Sequence, residues 1–168
     1  MFMKIAIAAP LAVLTLGSSL AFAAEPINQT INVRAFIPTS TFNVAPIEDG
    51  FGDDVEMRLV NPNNSADGFR AVSATYVLKH TDPKGAINAF IEGGQTAATM
   101  YNGTNGIPLT VSMAGVVLTE TSKEVVNETE SVPGVQRQFT ISAAKPTATQ
   151  TGDYKGSFTV VHEPVLKP

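Results

Sequence analysis

The segment "EPINQTINVRAF", residues 25–36, alternates between apolar and polar side chains over most of its length. Four of its odd-numbered positions are apolar, and the positions between them are polar. The apolar set is Ile27, Ile31, Val33 and Ala35, and the polar set is Asn28, Thr30, Asn32 and Arg34. Because successive side chains of a strand point to opposite faces, this period predicts a strand with one apolar face. The strand could pair with another strand of its own chain or with a strand of another molecule.

The residues in front of this strand have the features of a secretion signal. Lys4 gives a positive start, residues 5–16 form an apolar run, and Ala21, Phe22 and Ala23 form a small-x-small cleavage pattern. We therefore predict a signal peptide over residues 1–23 and an exported mature chain. The apolar run is about twelve residues long, which is shorter than the ~20 residues of a membrane-spanning helix.

Composition restricts the classes of function. Removal of residues 1–23 would leave 145 residues, enough for one domain, with a net charge of about −5. Lysine and arginine form no cluster, which argues against nucleic acid as a partner. The chain contains no cysteine, so thiol catalysis, thiolate metal sites and disulfides are excluded.

Behind the opening strand, short alternating segments are separated by clusters of Gly, Pro, Asn and Asp. Examples of these clusters are "EDGFGDD" (48–54), "TDPKG" (81–85) and "YNGTNG" (101–106), which are typical of turns. We predict strands over residues 27–37, 55–60, 71–79, 86–92, 109–118, 136–142 and 156–162. About seven strands at this spacing predict an all-β antiparallel sandwich. The segment 120–130 is predicted to hold at most one turn of helix.

Alternation also predicts which side chains face the core. In residues 71–79, Ala74, Tyr76 and Leu78 share a face, and Ser73 and Lys79 lie on the other. The same rule selects further candidates for the core or for a groove beside it. They are Val111 and Met113 in the 109–118 segment, and Tyr154, Phe158 and Val160 near the C-terminus.

Candidates for chemistry are few. The two histidines, His80 and His162, stand near strand ends and are interpreted as structural or solvent-exposed residues. The acids of "EDGFGDD" lack the alternate ligand spacing of a calcium loop, so a solvated turn is favoured. No nucleophile, zinc or phosphate-loop motif occurs. The sequence predicts no catalytic residue, no cofactor and no metal.

Four segments resemble one family in order and spacing. They are "INQTINVRAFIP" (27–38), "DGFRAVSATYVLKHTD" (67–82), "IPLTVSMAGVVLTETSKE" (107–124) and "VQRQFTISAAKPTATQTGDYKGSFTVV" (135–161). This set is similar to the colonisation-factor-antigen-type fimbrial major subunits, pilins of the alternate chaperone/usher class. The resemblance spans nearly all of the predicted mature chain.

The resemblance implies an immunoglobulin-like sandwich that lacks one strand and is completed by a donor strand from a neighbouring subunit. The domains would be an N-terminal extension (24–38) and a pilin domain (39–168). Pro38 would end the donor strand because it cannot donate a ladder hydrogen bond. The groove-facing positions of the extension would be Ile27, Gln29, Ile31, Val33, Ala35 and Ile37. From alternation alone, a complete sandwich with residues 27–37 as its own first strand stays open.

The expected function is that of a major structural subunit of a fimbria that supports bacterial adhesion. The implied partners are further copies of the chain in a head-to-tail homopolymer, a periplasmic chaperone, an outer-membrane usher and a tip adhesin subunit. Such a protein would pass through the periplasm to the cell surface and would not be an enzyme. The alternative is a secreted or periplasmic monomeric β-sandwich that binds carbohydrate.

Overall fold

The computed structural model of the chain describes residues 41–168. In this part of the chain, nine strands, two single-turn α-helices and a 3₁₀ turn (Ser65–Asp67) are connected by turns rich in Gly, Pro and Asn. The strands are β1 (Phe42–Pro46), β2 (Val72–His80), β3 (Gly85–Ile91), β4 (Thr99–Asn102), β5 (Asn105–Met113), β6 (Val116–Val117), β7 (Lys123–Val126), β8 (Val135–Ala143) and β9 (Val160–Leu166). The helices are α1 (Gly94–Ala97) and α2 (Glu128–Ser131).

The strands form two antiparallel sheets. The larger has the order β1-β2-β8-β5-β4, with β6 also paired to β5, and the smaller has the order β7-β3-β9. The buried core joins residues of both sheets, for example Leu78 and Phe139 from the larger and Ile87 and Ile91 from the smaller. The predicted all-β antiparallel sandwich is therefore confirmed.

Three predicted strands agree closely with the structure. Residues 71–79, 86–92 and 136–142 correspond to β2, β3 and β8, with ends that differ by about one residue. In β2, Ala74 and Leu78 are buried while Ser73 and Lys79 are exposed. The period of two thus identified the core face of this strand correctly.

The predicted strand 109–118 is wrong in its extent, because the chain reverses within it. Ala114 and Gly115 have φ values of +53° and +80°, and β6 pairs back onto β5 with Val116 opposite Met113. Positive φ at both central residues is typical of the two-residue hairpin turn whose twist matches the flanking strands. An alanine is uncommon at such a position, which explains why the turn was not predicted.

The predicted strand 55–60 is also wrong. Only Leu59 forms an isolated bridge, to Phe69, and the rest of the segment forms no strand. Val55 and Met57 still pack against the core cluster. The alternation here arises because every second side chain packs against the core, and such packing does not require a partner strand. The prediction also omitted β1, β4 and β7, which have five, four and four residues.

The last strand lies further along the chain than predicted. β9 begins at Val160, four residues after the predicted start, and continues through Pro164, which lies opposite Ile87. Although a proline often ends a ladder, Pro164 lies within the paired length of β9. Hydrogen bonds from Glu92 N to Thr159 O (3.0 Å) and from Lys167 N to Lys84 O (2.9 Å) fix the phase of the ladder. In that phase the nitrogen of Pro164 points away from β3, where a proline is tolerated on an edge strand.

His80 is part of the packing at one end of β2. It is buried, and its Nδ1 accepts a hydrogen bond from the backbone N–H of Asp82 (3.0 Å). A Cβ atom added to Gly85 would lie 2.0 Å from the same nitrogen, so the ring occupies the space that only glycine leaves open. His80 therefore stabilises the turn between β2 and β3, in line with the structural role predicted for it.

Candidate functional site

A cleft of about 390 Å³ opens where β9 faces the larger sheet; we call it the main cleft. β2, β5 and β8 supply the wall formed by Tyr76, Leu109, Phe139 and Ile141, and β9 supplies Val160 and His162. The wall is apolar because these positions have the inward phase of their strands. This wall favours apolar side chains in the group that fills the cleft, and Asp53, Asp54 and Ser157 also line the cleft.

A loop covers one side of the main cleft. Phe51 lies between Gly50 and Gly52, whose φ values of +80° and +99° let the chain turn on either side of it. Its ring makes edge contacts with Tyr76 (centroids 6.1 Å apart) and with Phe139 (5.9 Å). The sequence interpretation of "EDGFGDD" as a solvated turn holds for the exposed acids but missed Phe51. An isolated aromatic between two glycines was the signal that could have revealed it.

A second, more open cleft of about 560 Å³ lies further along β9; we call it the end cleft. Pro164 and Leu166 of β9 line it together with Phe42 and His80. Leu166 is 63% exposed, an unusual value for a leucine in a paired strand. The even-numbered side chains of β9 thus face the two clefts in succession over about 20 Å.

The outer edge of β9 carries unpaired backbone groups. Among the described residues, β9 pairs with β3 on one side and with no strand on the other. The ladder phase set by Glu92 and Lys167 directs the N–H and C=O groups of Val160 and His162 to that outer edge. A free edge beside an apolar cleft is the arrangement that an added strand fills, with its backbone on the edge and its alternate side chains in the cleft.

His162 brings a polar group into the main cleft. Its ring stacks on Tyr76 with the centroids 6.4 Å apart, and its Nε2 is buried with no hydrogen-bond partner in residues 41–168. Burial lowers the pKa of His162 to about 4. Burial also raises the pKa of Tyr76, and the nearby charge of Glu48 adds to that rise. Both shifts indicate that this part of the cleft is poorly hydrated.

The predicted site residues fall into three groups. Phe158 and Val160 line the main cleft. Val111 and Met113 are fully buried in the core and do not line it. Tyr154 lies outside strand β9, half buried, and its hydroxyl has no hydrogen-bond partner within the described region.

Other predictions fall on residues that the structure does not describe. The signal peptide (1–23), the extension (24–38) and Pro38 lie outside residues 41–168. The same holds for the predicted donor positions, which are Ile27, Gln29, Ile31, Val33, Ala35 and Ile37.

The described region offers little for other kinds of chemistry. Within residues 41–168, no three His, Asp or Glu side chains cluster closely enough to hold a metal ion. No helix of this region is long and apolar enough to cross a membrane. What the geometry does provide is an apolar surface next to backbone hydrogen-bonding groups that have no partner strand within the described residues.

The chain is similar in sequence and fold to known proteins. Residues 27–163 match the family described as CS1 type fimbrial major subunit. Among solved structures, the CooA pilin subunit from enterotoxigenic Escherichia coli is similar, with a TM-score of 0.57 and 18% sequence identity over 74% of this chain and 87% of that one. The P pilus rod subunit PapA matches with a TM-score of 0.42 and 13% identity over 83% of this chain and 99% of that one. Comparison with curated protein sequences gave no significant match.

Proposed function

The chain belongs to the family of CS1 type fimbrial major subunits, and we propose that it polymerises by donating its N-terminal segment to the cleft of a neighbouring copy. In this proposal residues 24–38 of one subunit lie along the outer edge of β9 of the next. The role is structural, and the product is a fimbrial shaft that supports adhesion of the bacterium.

The proposal rests on two features that lie side by side: an apolar cleft, and a strand edge that has no partner strand among the described residues. Val160 and His162 belong to both features, since their side chains line the main cleft and their backbone groups point to the outer edge. The N-terminal segment has the complementary pattern, with Ile31 and Val33 on one face and Asn32 on the other. An extended segment of that kind adds backbone hydrogen bonds and inserts alternate side chains.

The energy of such an exchange is large. Burial of four branched aliphatic side chains at ~1.5 to 3 kcal/mol each gives a gross gain of ~6 to 12 kcal/mol, before the cost of ordering the segment. The four are Ile27, Ile31, Val33 and Ile37. This gain is comparable to the whole stability of an ordinary domain. We therefore expect each junction to form tightly and to dissociate slowly.

The partners follow from the hazard of an unfilled cleft. A free strand edge next to exposed apolar side chains such as Leu166 (63% exposed) promotes unspecific association. A subunit on its way through the periplasm would need a chaperone to cover that edge. The family resemblance further implies an outer-membrane usher that exchanges the chaperone for the next subunit, and a tip adhesin at the end of the polymer. Residues 1–23 would direct the export that comes first.

Two variants with opposite defects test the proposal. Ile31→Asp places a charge on the donated face and should abolish donation while the cleft stays intact. Val160→Asp places a charge in the main cleft and should abolish acceptance while the donor segment stays intact. Neither variant should form filaments by electron microscopy, and a mixture of the two should form one junction per pair and stop at dimers by size-exclusion chromatography.

Asn32→Asp is the matched control, because it introduces the same charge one residue away on the outward face. Filaments of this variant should form as in the unchanged protein. Deletion of residues 24–37 should act like Ile31→Asp. Filaments from either the deletion or the Ile31→Asp variant would refute donation by this segment.

A further inference from the structure

Among residues 41–168, His162 lines the main cleft and has one buried ring nitrogen without a hydrogen-bond partner. Nε2 of His162 is buried and has no hydrogen-bond partner in the described part of the chain, although the ring is held by stacking on Tyr76. A buried donor or acceptor without a partner costs about 1 to 3 kcal/mol. The group that fills the cleft could remove this cost if it brought a polar atom to the right place.

The chemistry of the imidazole restricts that group. Burial keeps His162 neutral at neutral pH, since its pKa is lowered to about 4. A neutral imidazole has one nitrogen that donates and one that accepts. A primary amide satisfies either tautomer, because it offers two N–H donors and a carbonyl acceptor. A carboxylate or an ammonium would add a buried charge, which is far more costly.

The N-terminal segment carries one amide on its otherwise apolar face, at Gln29. We propose that Gln29 of the incoming copy forms a hydrogen bond with Nε2 of His162 and thereby sets the register of the donated strand. This inference rests on the proposed donation of residues 24–38. In this inference the hydrogen bond between His162 and Gln29 selects one register among several that the apolar side chains alone would allow.

The backbone geometry allows the pair. Residues directly opposite each other on neighbouring strands have Cβ atoms about 4.5 to 5.5 Å apart and point to the same face. With an antiparallel donor and Gln29 opposite His162, Ile31 lies opposite Val160 and Val33 lies opposite Phe158. Both aliphatic side chains then enter the apolar part of the main cleft. A parallel donor with the same pair would direct them away from Phe158 and leave that part unfilled.

The pair discriminates against slipped registers. A slip of one residue turns every apolar side chain to the outer face. A slip of two residues keeps the faces but places Ile27 or Ile31 against Nε2 and puts the Gln29 amide against apolar side chains. Two polar groups then lose their partners, so the slipped junction is disfavoured by roughly 10- to 100-fold or more.

A double-mutant cycle with peptides tests the pair. Peptides of residues 24–38 are titrated against the full-length Ile31→Asp subunit, whose cleft is unchanged. Gln29→Leu in the peptide should weaken binding by roughly 10- to 100-fold. The same peptide should bind the subunit that also carries His162→Leu without that loss, because two apolar groups then face each other. Gln29→Glu should bind the unchanged cleft more weakly than Gln29→Leu, and Asn28→Leu, on the outward face, should bind like the parent peptide.

The outcomes separate the inference from the proposed function. Failure of the parent peptide to bind would refute donation itself. Binding of the parent with an equal loss from Gln29→Leu on both forms of the cleft, or with no loss at all, would overturn the His162–Gln29 pair and leave donation intact. If the His162→Leu subunit does not fold, the comparison of Gln29→Leu with Asn28→Leu on the unchanged cleft decides, since equal affinities would overturn the pair.

Register itself can be read by cross-linking, because the chain contains no cysteine. An Ile31→Cys peptide should form a disulfide with a Val160→Cys subunit and not with a Pro164→Cys subunit, since opposite residues have the Cα spacing that a disulfide requires. Adding Gln29→Leu to the peptide should lower the cross-linking yield with Val160→Cys, because slips of two residues place Ile31 opposite Phe158 or His162. Cross-linking to Pro164→Cys in preference to Val160→Cys would overturn the register.

Discussion

Strands β3 and β9 have seven residues each and pair with one another along their whole length, but their surroundings differ. β3 lies between β7 and β9, and its inward side chains Ile87, Ala89 and Ile91 are fully buried. β9 lies at the edge of the described sheet, and its inward side chains line clefts. The two strands share the same ladder of hydrogen bonds, but only β3 has inward side chains that are fully packed in the core.

The difference indicates where the molecule depends on a partner. The residues around β3 obtain their packing from their own chain, so their contribution should appear in the stability of a single subunit. The residues of β9 have a second surface that we assign to the next subunit. Substitutions in the two strands should therefore separate folding from assembly.

The largest effect on the single subunit is expected at the centre of β3. Ile87→Ala removes a fully buried side chain and should lower the free energy of unfolding by about 2 to 5 kcal/mol. Val160→Ala in β9 should cost less in the same assay, because this side chain is only partly buried. Denaturant unfolding of the Ile31→Asp subunit, which should not polymerise, measures both. Equal losses would break the distinction between the two strands.

The pH dependence of stability should come from the β9 side. His162 has a folded pKa of about 4, below its ordinary value of 6.5, so the unfolded chain takes up the proton first as the pH falls. The contribution of His162 to the free energy of unfolding should be constant above pH ~7 and fall between about pH 6.5 and 4, by up to roughly 3 kcal/mol. The titratable groups around the His162 ring are Tyr76, which stacks on it, and Asp53 and Asp54, which line the same cleft.

His162→Phe keeps a ring against Tyr76 and should abolish most of the loss of stability between pH 6.5 and 4. Urea unfolding at half-unit steps of pH gives the comparison. A profile that is unchanged in the variant would assign the pH dependence to other groups.

An intermediate effect is expected where β3 begins. Gly85→Ala would place a methyl group 2.0 Å from Nδ1 of His80, and overpacking of this kind costs about 1 to 3 kcal/mol. In a background with His80→Ala the added methyl should cost less, because the ring is gone. Thermal unfolding of the four combinations measures the coupling, and an additive result would contradict the close contact.

The smallest effect is expected at the far end of β9. Nζ of Lys167 lies 2.6 Å from a carboxylate oxygen of Glu124 and 3.1 Å from one of Glu128, which ties the end of β9 to β7 and α2. Exposed ion pairs contribute little and are screened by salt. Lys167→Met should lower the melting temperature slightly at low salt and not at ~1 M salt. Lys79→Met is the control, because the described residues give Lys79 no ion pair, and a loss that persists at high salt would exclude the ionic explanation.

The sequence predicted much of the fold because the signals are local. Alternation in residues 71–79 identified Ala74 and Leu78 as core residues, and the turn clusters predicted an antiparallel architecture. Predictions failed where the outcome depended on neighbours that are distant in sequence. Val55 and Met57 alternate like a strand but pack without a ladder, and the last strand begins four residues later than predicted.

The site was predictable only in part. Phe158 and Val160 were selected by alternation and line the main cleft, while Val111 and Met113, selected by the same rule, are buried in the core. A strand pattern cannot tell a side chain that faces a filled core from one that faces a cleft, because both are apolar. His162 and Phe51 gave no signal of their own as cleft residues.

Alternation and turn chemistry by themselves determined an all-β antiparallel chain, because the period of two and the preferences of Gly, Pro and Asn act between near neighbours. Only the tertiary structure decided that β9 is an edge strand among residues 41–168, that its even-numbered side chains line two clefts, and that the His162 ring has a buried nitrogen without a partner in that part of the chain. These features depend on which strands meet across the two sheets, and contacts between residues far apart in the sequence settle that order.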